Sequence, residues 1–145
     1  MSLWADSKVF RKSGYLLGFC GSFRAAQVLQ YAIKPPPYKG PAAGLTQHLA
    51  TAFVEVLQQG LRDAGMELPI KGTSFLVGWH GVLHKVEHNF QIVRAYDGHA
   101  AVGCGEALAL GALHALAGFD IAPKRRVLLA LGAAEHYNAA VSRPF

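Results

Sequence analysis

Three histidines recur at a spacing of four residues, at His80, His84 and His88. On an α-helix this spacing would line one face with imidazole nitrogens, which are common ligands of zinc. Gly81 and the strand-like surroundings argue against a helix, although a strand would also place the three side chains on one side. The chain has neither an HExxH nor a CxxC motif. We therefore expect polar strand positions here, with no metal site and no cofactor.

The two cysteines, Cys20 and Cys104, each lie in a Gly-rich, apolar stretch. Two thiols do not make a disulfide scaffold, and free cysteine is often buried, so we expect two small core thiols. A thiol site formed by Cys104 and a histidine is the alternative. The pair Gly103 and Gly105 matches only part of a dinucleotide-binding fingerprint, and no G-x-S-x-G elbow is present. These absences argue against a Rossmann enzyme and an α/β-hydrolase.

The composition is that of a single globular domain. Hydrophobic residues make up 52% and charged residues 16% of the 145 residues, which is too apolar for a disordered chain. No apolar run reaches the roughly 18 residues of a transmembrane helix, and the N-terminal residues lack a signal-peptide core. The net charge is +5, but the basic cluster at residues 124–126 accompanies no nucleic-acid motif. We expect a cytoplasmic protein with neither a membrane nor a nucleic-acid partner.

Periodicity and turn residues predict the elements that position these groups. Ser22 is the expected N-cap of the first helix and Thr46 that of the second. Strands in a block with paired helices on either side predict an α+β fold of stacked antiparallel sheets covered by helix layers, over residues 1–145. The inward residues of the last helix are predicted as Val127, Leu128, Leu131, Ala134 and Ala139. In chain order, strands are predicted over 6–12 and 15–20, helices over 23–33 and 46–64, strands over 74–79, 82–87, 90–95 and 99–103, helices over 106–117 and 124–140, and the start of a strand over 141–145.

Three segments, in this order, resemble the proteasome β-subunit and HslV family of N-terminal-nucleophile (Ntn) hydrolases. The first runs from Lys8-Val9-Phe10 through the hairpin to Gly18-Phe19-Cys20-Gly21-Ser22. The second is the helix, strand and hairpin block, and the third, residues 101–109, is similar to the family's Gly-Ser-Gly strand-to-helix turn. The resemblance is greatest to HslV-like proteins encoded near phage and prophage genes. It implies a four-layer αββα sandwich of the Ntn-hydrolase type, missing the first strands, and a homodimer or larger assembly.

The resemblance also implies a peptidase site. In that family the hydroxyl of an N-terminal Thr attacks the peptide carbonyl, with its own α-amine as base. Lys8 matches the lysine that tunes this nucleophile, and Gly21 matches the backbone N–H that donates to the oxyanion. Cys104 replaces the serine that supports the amine. The residues beside them are the implied contacts to a peptide substrate: Cys20, Ser22 and Gly105.

The sequence departs from the family pattern at the nucleophile itself. In the family, two strands carrying the Thr and a supporting Asp precede the lysine, whereas the seven residues before Lys8 contain no Thr. Ser2 would be an N-terminal nucleophile after removal of the initiator methionine, but it lies six residues from Lys8 on the same segment. A later family aspartate falls near His136, beside Glu135 and Asn138. The chain is therefore expected to be inactive as given.

Three functions stay open from the sequence. One is a threonine-type peptidase whose start lies upstream of the given frame. The second, which the sequence favours for the chain as given, is a degenerate relative of phage or prophage origin that is kept for self-assembly or binding. Another subunit would cover exposed sheet edges and the Ala- and Leu-rich helix over 106–117. The third is a binding module with a cleft near Lys8, Gly21 and Cys104, for which no residue indicates the ligand.

Overall fold

The computed structural model describes residues 7–143 and 145, which divide into two compact units. The first unit extends to Gly98 and the second begins at His99. Each unit has its own hydrophobic core. The interpretation of Ser2 as a nucleophile lies outside the described residues. Within those residues, no helix has the length and apolar character needed to cross a membrane.

The first unit is built on one antiparallel meander. Its strands lie side by side in chain order: β1 (Val9–Lys12), β2 (Tyr15–Cys20), β3 (Ser74–Trp79), β4 (Val82–Val86) and β5 (Ile92–Arg94). Two tight turns, at residues 13–14 and 80–81, have positive φ at both positions. This is the geometry of the two-residue type I′ turn, whose twist matches that of the flanking strands. The two predicted hairpins are therefore confirmed.

Two interrupted helices cover one face of this sheet. The first begins as α1 (Phe23–Gln27) and ends with a π-helical turn over Val28–Ala32. A proline-rich loop over residues 35–41 follows it. The second comprises α2 (Leu45–His48), a π-helical turn over Leu49–Phe53, and α3 (Val54–Asp63). Alternate residues of the strands and one stripe of these helices form the core, which includes Leu17, Phe19, Phe75, Val77, Leu29, Leu49, Phe53 and Leu57. The apolar face set by the two-residue period of the strands thus packs against the apolar stripe set by the helical period, and together they form one layer.

The second unit is a helical hairpin. Helix α4 (Glu106–Ala115) and helix α5 (Pro123–Tyr137) pack through small residues, with Ala109, Leu113, Ala130 and Ala134 as the buried core. A Cβ atom on Gly105 would lie 2.7 Å from Val141 Cγ2 and 3.0 Å from Ala134 Cβ. The glycine is required there because the start of α4 passes so close to these side chains.

Several predictions about the elements were wrong. Residues 99–103 form no strand, and residues 141–143 and 145 do not begin one. Some predicted elements extend past the observed ones, as for β5 and α4, because terminal residues leave the ladder or helix before the apolar pattern ends. The predicted bounds of β2 and β3 match the observed ones. Thr46 is not an N-cap: it lies inside α2, and its Oγ1 is 2.8 Å from Nε2 of His84.

The buried face of α5 also differs from its prediction. Val127 is 48% exposed and Leu128 is 44% exposed, and Ala139 is exposed as well. The contact with α4 selects the alanines, because small side chains let two helices approach closely. Ala134, as predicted, and Ala130 therefore face inward, whereas Val127 and Leu128 do not.

Candidate functional site

The structure brings Lys8 and Gly21 to the same end of the β1–β2 hairpin. The Lys8 carbonyl accepts the Phe19 N–H at 3.2 Å, which places the residue before β1 opposite the C-terminal end of β2. The Lys8 Nζ atom lies 5.4 Å from the ring centroid of Phe23, the first residue of α1. A cation over an aromatic face is attracted by the ring quadrupole. The ammonium therefore lies over the first residue of α1, two residues beyond Gly21 in sequence.

Gly21 occupies a position that no other residue fits. Its φ is +91°, which L-residues rarely adopt. A Cβ atom there would lie 2.2 Å from the Gly72 carbonyl oxygen and 2.7 Å from Thr73 Cα. The positive φ and the close backbone contacts both require glycine at this strand-to-helix turn.

Ser22 holds this turn by two hydrogen bonds. Its Oγ accepts the N–H of Ala25 at 3.1 Å, which confirms the predicted N-cap of α1. Its own N–H donates to Oγ1 of Thr73 at 3.0 Å. Thr73 is 1% exposed, and sequence reasoning missed it. The turn-forming Gly72 just before β3 was the available signal, but it did not indicate the partner.

A polar cluster lies beside Cys20. Cys20 is half-buried and pairs with Ser74 across β2 and β3. The Ser74 hydroxyl donates to Glu87 Oε2 at 3.3 Å, and Glu87 Oε1 lies 3.1 Å from Lys85 Nζ. The sequence analysis did not identify these three residues, because Ser74 meets Lys85 and Glu87 only through the register of β3 and β4. The cluster offers a hydroxyl, a carboxylate and an ammonium on adjacent positions.

Cys104 and Gly105 belong to the second unit. Cys104 lies in the turn before α4 and is exposed, so its predicted burial was wrong, as it was in part for Cys20. The physical reason is that the turn projects beyond the contact between the two helices. The Cys104 carbonyl accepts the Asn138 Nδ2–H at 2.8 Å, and Asn138 Oδ1 accepts the Ala140 N–H at 3.0 Å. Asn138 thereby fixes the Cys104 turn to the end of α5.

Glu135, which the sequence places near a family aspartate, is engaged by Arg143. The guanidinium Nε donates to Glu135 Oε2 at 2.8 Å, and the Arg143 backbone N–H donates to Oε1 at 3.2 Å. The hydrogen bonds from Arg143 lower the pKa of the Glu135 carboxyl. His136 contacts the Tyr137 ring, with centroids 4.6 Å apart. None of these contacts joins Glu135 or His136 to Cys104.

The three spaced histidines have different environments. His80 lies in a turn, His84 is fully buried on β4, and His88 is exposed. Burial, and then the charge of Arg94, lowers the pKa of His84. Its Nδ1 atom has no hydrogen-bond partner among the described residues, while Nε2 contacts Thr46. Among residues 7–143 and 145, no three His, Cys, Asp or Glu side chains are grouped so as to hold a metal ion.

Comparison with known proteins identifies the fold. No protein-family model matches the sequence, and no curated protein matches it. BPH from Thiobacillus denitrificans, solved in complex with epoxomicin, has a TM-score of 0.74 at 16% identity, covering 95% of this chain and 75% of that one. HslV from Trypanosoma brucei has a TM-score of 0.62 at 15% identity, covering 93% and 75%. Anbu from Hyphomicrobium sp. strain MC1 has a TM-score of 0.59 at 18% identity, covering 96% and 66%.

Identities in this range establish architecture rather than activity. The predicted α+β class is confirmed by the antiparallel sheet, its covering helices and the high coverage of these structures. The chain thus has the fold of the HslV and proteasome-like Ntn hydrolases, as its sequence resemblance implied.

Proposed function

We propose that the chain is a homologue of the HslV-type threonine peptidases that keeps part of the site scaffold and does not itself hydrolyse peptides as the 145-residue polypeptide. The observation that supports this most is the hairpin end, where the Lys8 ammonium lies over Phe23, two residues beyond the left-handed Gly21 in sequence. A backbone N–H in a tightly held turn is what an oxyanion site requires, and a nearby cation favours negative charge on a nucleophile. Residues 1–7 contain no threonine, so the nucleophile of that chemistry is not among them.

The proposed roles follow the resemblance. Lys8 would favour negative charge on the nucleophile and the Gly21 N–H would donate to the oxyanion. Cys104 stands in place of the serine that supports the amine. Because the N–H, hydroxyl and carbonyl of Ser22 bond to Thr73, Ala25 and Ala26, Ser22 would hold the turn rather than contact a peptide. The remaining peptide contacts are proposed at Cys20 and Gly105.

The test compares two polypeptides against fluorogenic peptides: the purified 145-residue chain, and the same chain extended in frame by the codons upstream of Met1. Epoxomicin is the inhibitor, because BPH from Thiobacillus denitrificans was solved in complex with it. We expect cleavage only by the extended chain, blocked by epoxomicin and lost in Lys8→Ala. Lys39→Ala, which removes an exposed lysine from the proline-rich loop, is the matched control.

Either of two results would change this assignment. Epoxomicin-sensitive cleavage by the 145-residue chain would overturn its proposed inactivity. If neither polypeptide cleaves any peptide, the peptidase roles of Lys8 and Gly21 should be abandoned in favour of the second candidate function.

The second candidate is a non-catalytic, self-assembling protein of phage or prophage origin, located in the cytoplasm. The observation that favours it is the exposure of three large apolar residues on α5, namely Val127, Leu128 and Leu129. Exposed large apolar side chains on one element are often covered at an interface. Sedimentation analysis should show a dimer or larger species that dissociates in Leu128→Glu but not in Lys124→Glu on the same helix. A monomer at all concentrations would exclude it, and phage genes beside the coding sequence would support the proposed origin.

We also infer that residues 1–145 fold as a single domain. One cooperative thermal transition, seen at the same temperature by probes in each of the two units, would support this. Two separated transitions would contradict it.

A further inference from the structure

The first unit has a cleft of about 490 Å³ at the turn end of its hairpins, the end opposite to Lys8 and Gly21. One row of paired residues crosses it. Arg11 on β1 pairs with Leu16 on β2, Leu16 pairs with Gly78 on β3, and Gly78 pairs with Leu83 on β4. Side chains that are paired across strands point to the same side of a sheet. All four of these residues line the cleft.

Gly78 makes a slot in this row. A Cβ atom added there would lie 3.6 Å from Leu16 Cβ and 4.0 Å from Leu83 Cδ1, which is ordinary van der Waals contact with no clash. The absent side chain therefore leaves room for carbon atoms between two leucine walls. Leu16 is 42% exposed, so part of its apolar surface is available to a ligand.

The charge at the cleft is positive. Arg11 is exposed at one end of the row and takes no part in the ion pairs found among the described residues. His80 lies at the rim formed by the β3–β4 turn, and within the described part of the chain no aspartate or glutamate lines the cleft. A guanidinium fork binds a carboxylate through two parallel hydrogen bonds. Leu16, which forms one side of the apolar slot, lies on the strand next to that of Arg11.

We propose that this cleft binds a small organic monoanion, with its carboxylate on Arg11 and a flat apolar body over Gly78 between Leu16 and Leu83. The site is separate from the proposed peptidase residues and does not depend on that function. Because the cleft is open and the ligand small, the expected dissociation constant for one aromatic ring with a carboxylate is on the order of 1 mM.

Benzoate is the probe, titrated into the isotope-labelled 145-residue chain with amide NMR shifts as the measurement. Benzyl alcohol keeps the ring without the charge, and acetate keeps the charge without the ring. We expect saturable shifts with benzoate at the cleft glycines, which are Gly14, Gly78, Gly81 and Gly98. Both partial probes should bind at least about tenfold more weakly, since each lacks one of the two contacts.

Two variants test the two contacts separately. Arg11→Gln should weaken benzoate about tenfold by removing a charge-assisted bond. Gly78→Ala should weaken it to a similar extent by placing a methyl group in the slot, and it should not impair folding because the added atom meets no clash. Arg125→Gln, an exposed arginine at the start of α5, should leave binding unchanged.

The proposal is overturned if benzoate gives no saturable shifts, or if its shifts lie outside the cleft. It is also overturned if benzyl alcohol binds as tightly as benzoate, or if binding survives unchanged in both Arg11→Gln and Gly78→Ala.

Discussion

The backbone N–H of Ser22 donates to the Oγ1 atom of Thr73 at 3.0 Å, across 51 residues of sequence. This bond joins the turn between β2 and α1 to the loop before β3. It lies beside Gly21, whose side-chain space is closed by the carbonyl of Gly72. The backbone that the resemblance assigns to an oxyanion site is thus shaped by a buried threonine outside the recognised motifs.

Thr73→Val is expected to destabilise the first unit by about 1–2 kcal/mol. The valine keeps the shape of threonine but leaves the Ser22 N–H without its partner. Urea unfolding followed by circular dichroism measures the change. Thr73→Ser, which keeps the hydroxyl, should lose much less; equal losses in the two variants would mean that packing, and not the hydrogen bond, is what matters.

Gly21→Ala is expected to cost about 2 kcal/mol or more. The change forces an L-residue into positive φ and drives a Cβ against backbone atoms, and both effects are destabilising. Thermal unfolding is the measurement. The matched control is Gly111→Ala, at an exposed, open position inside α4, which should stabilise by about 0.5–1 kcal/mol. An unchanged midpoint in Gly21→Ala would refute the described turn geometry.

The stability of the protein should fall as the pH drops below about 6.5, in part because of His84. Its folded-state pKa is lowered by burial and then by Arg94, so the unfolded chain takes up a proton at His84 more readily than the native chain. The loss begins near the unfolded value of 6.5 and levels off below the folded pKa.

The His84 contribution can be isolated by substitution. Between pH 7 and pH 5 (about the range of histidine titration), His84→Gln should show a shallower loss of unfolding free energy than the parent chain. His88→Gln, which replaces an exposed histidine, should keep the parent slope. The same slope in His84→Gln and the parent chain would show that His84 does not contribute to the pH dependence of stability.

Cys104 should react with maleimide faster than Cys20, because Cys104 is exposed and Cys20 is half-buried in the sheet. Mass spectrometry of the chain after timed labelling, with Cys20→Ala and Cys104→Ala as single-thiol variants, gives the two rates. Faster labelling of Cys20 would contradict the placement of Cys104 in an open turn.

Local chemistry made much of the fold predictable. The turns at residues 13–14 and 80–81 were identified from turn-forming residues between alternating strands, and Ser22 was identified as a cap from its position before a helical pattern. The turns and the cap depend on residues that are neighbours in sequence. The fold was indicated by the resemblance of three segments, in their order, to the HslV and proteasome-like family.

Tertiary packing decided the rest. Three features depend on elements that meet only in the folded chain. One is the buried face of α5. The others are the hydrogen bonds from Thr46 to His84, across 38 residues, and from Ser74 to Glu87. The same holds for the slot at Gly78, which exists because strand register sets two leucines on either side of a glycine. The sequence by itself determined the turns and the strand and helix periods, because short-range sterics and hydrogen bonds determine them, and its resemblance to a known family indicated the fold. Burial, long-range hydrogen-bond partners and the shape of the clefts were decided by the tertiary structure, because they depend on which surfaces pack together.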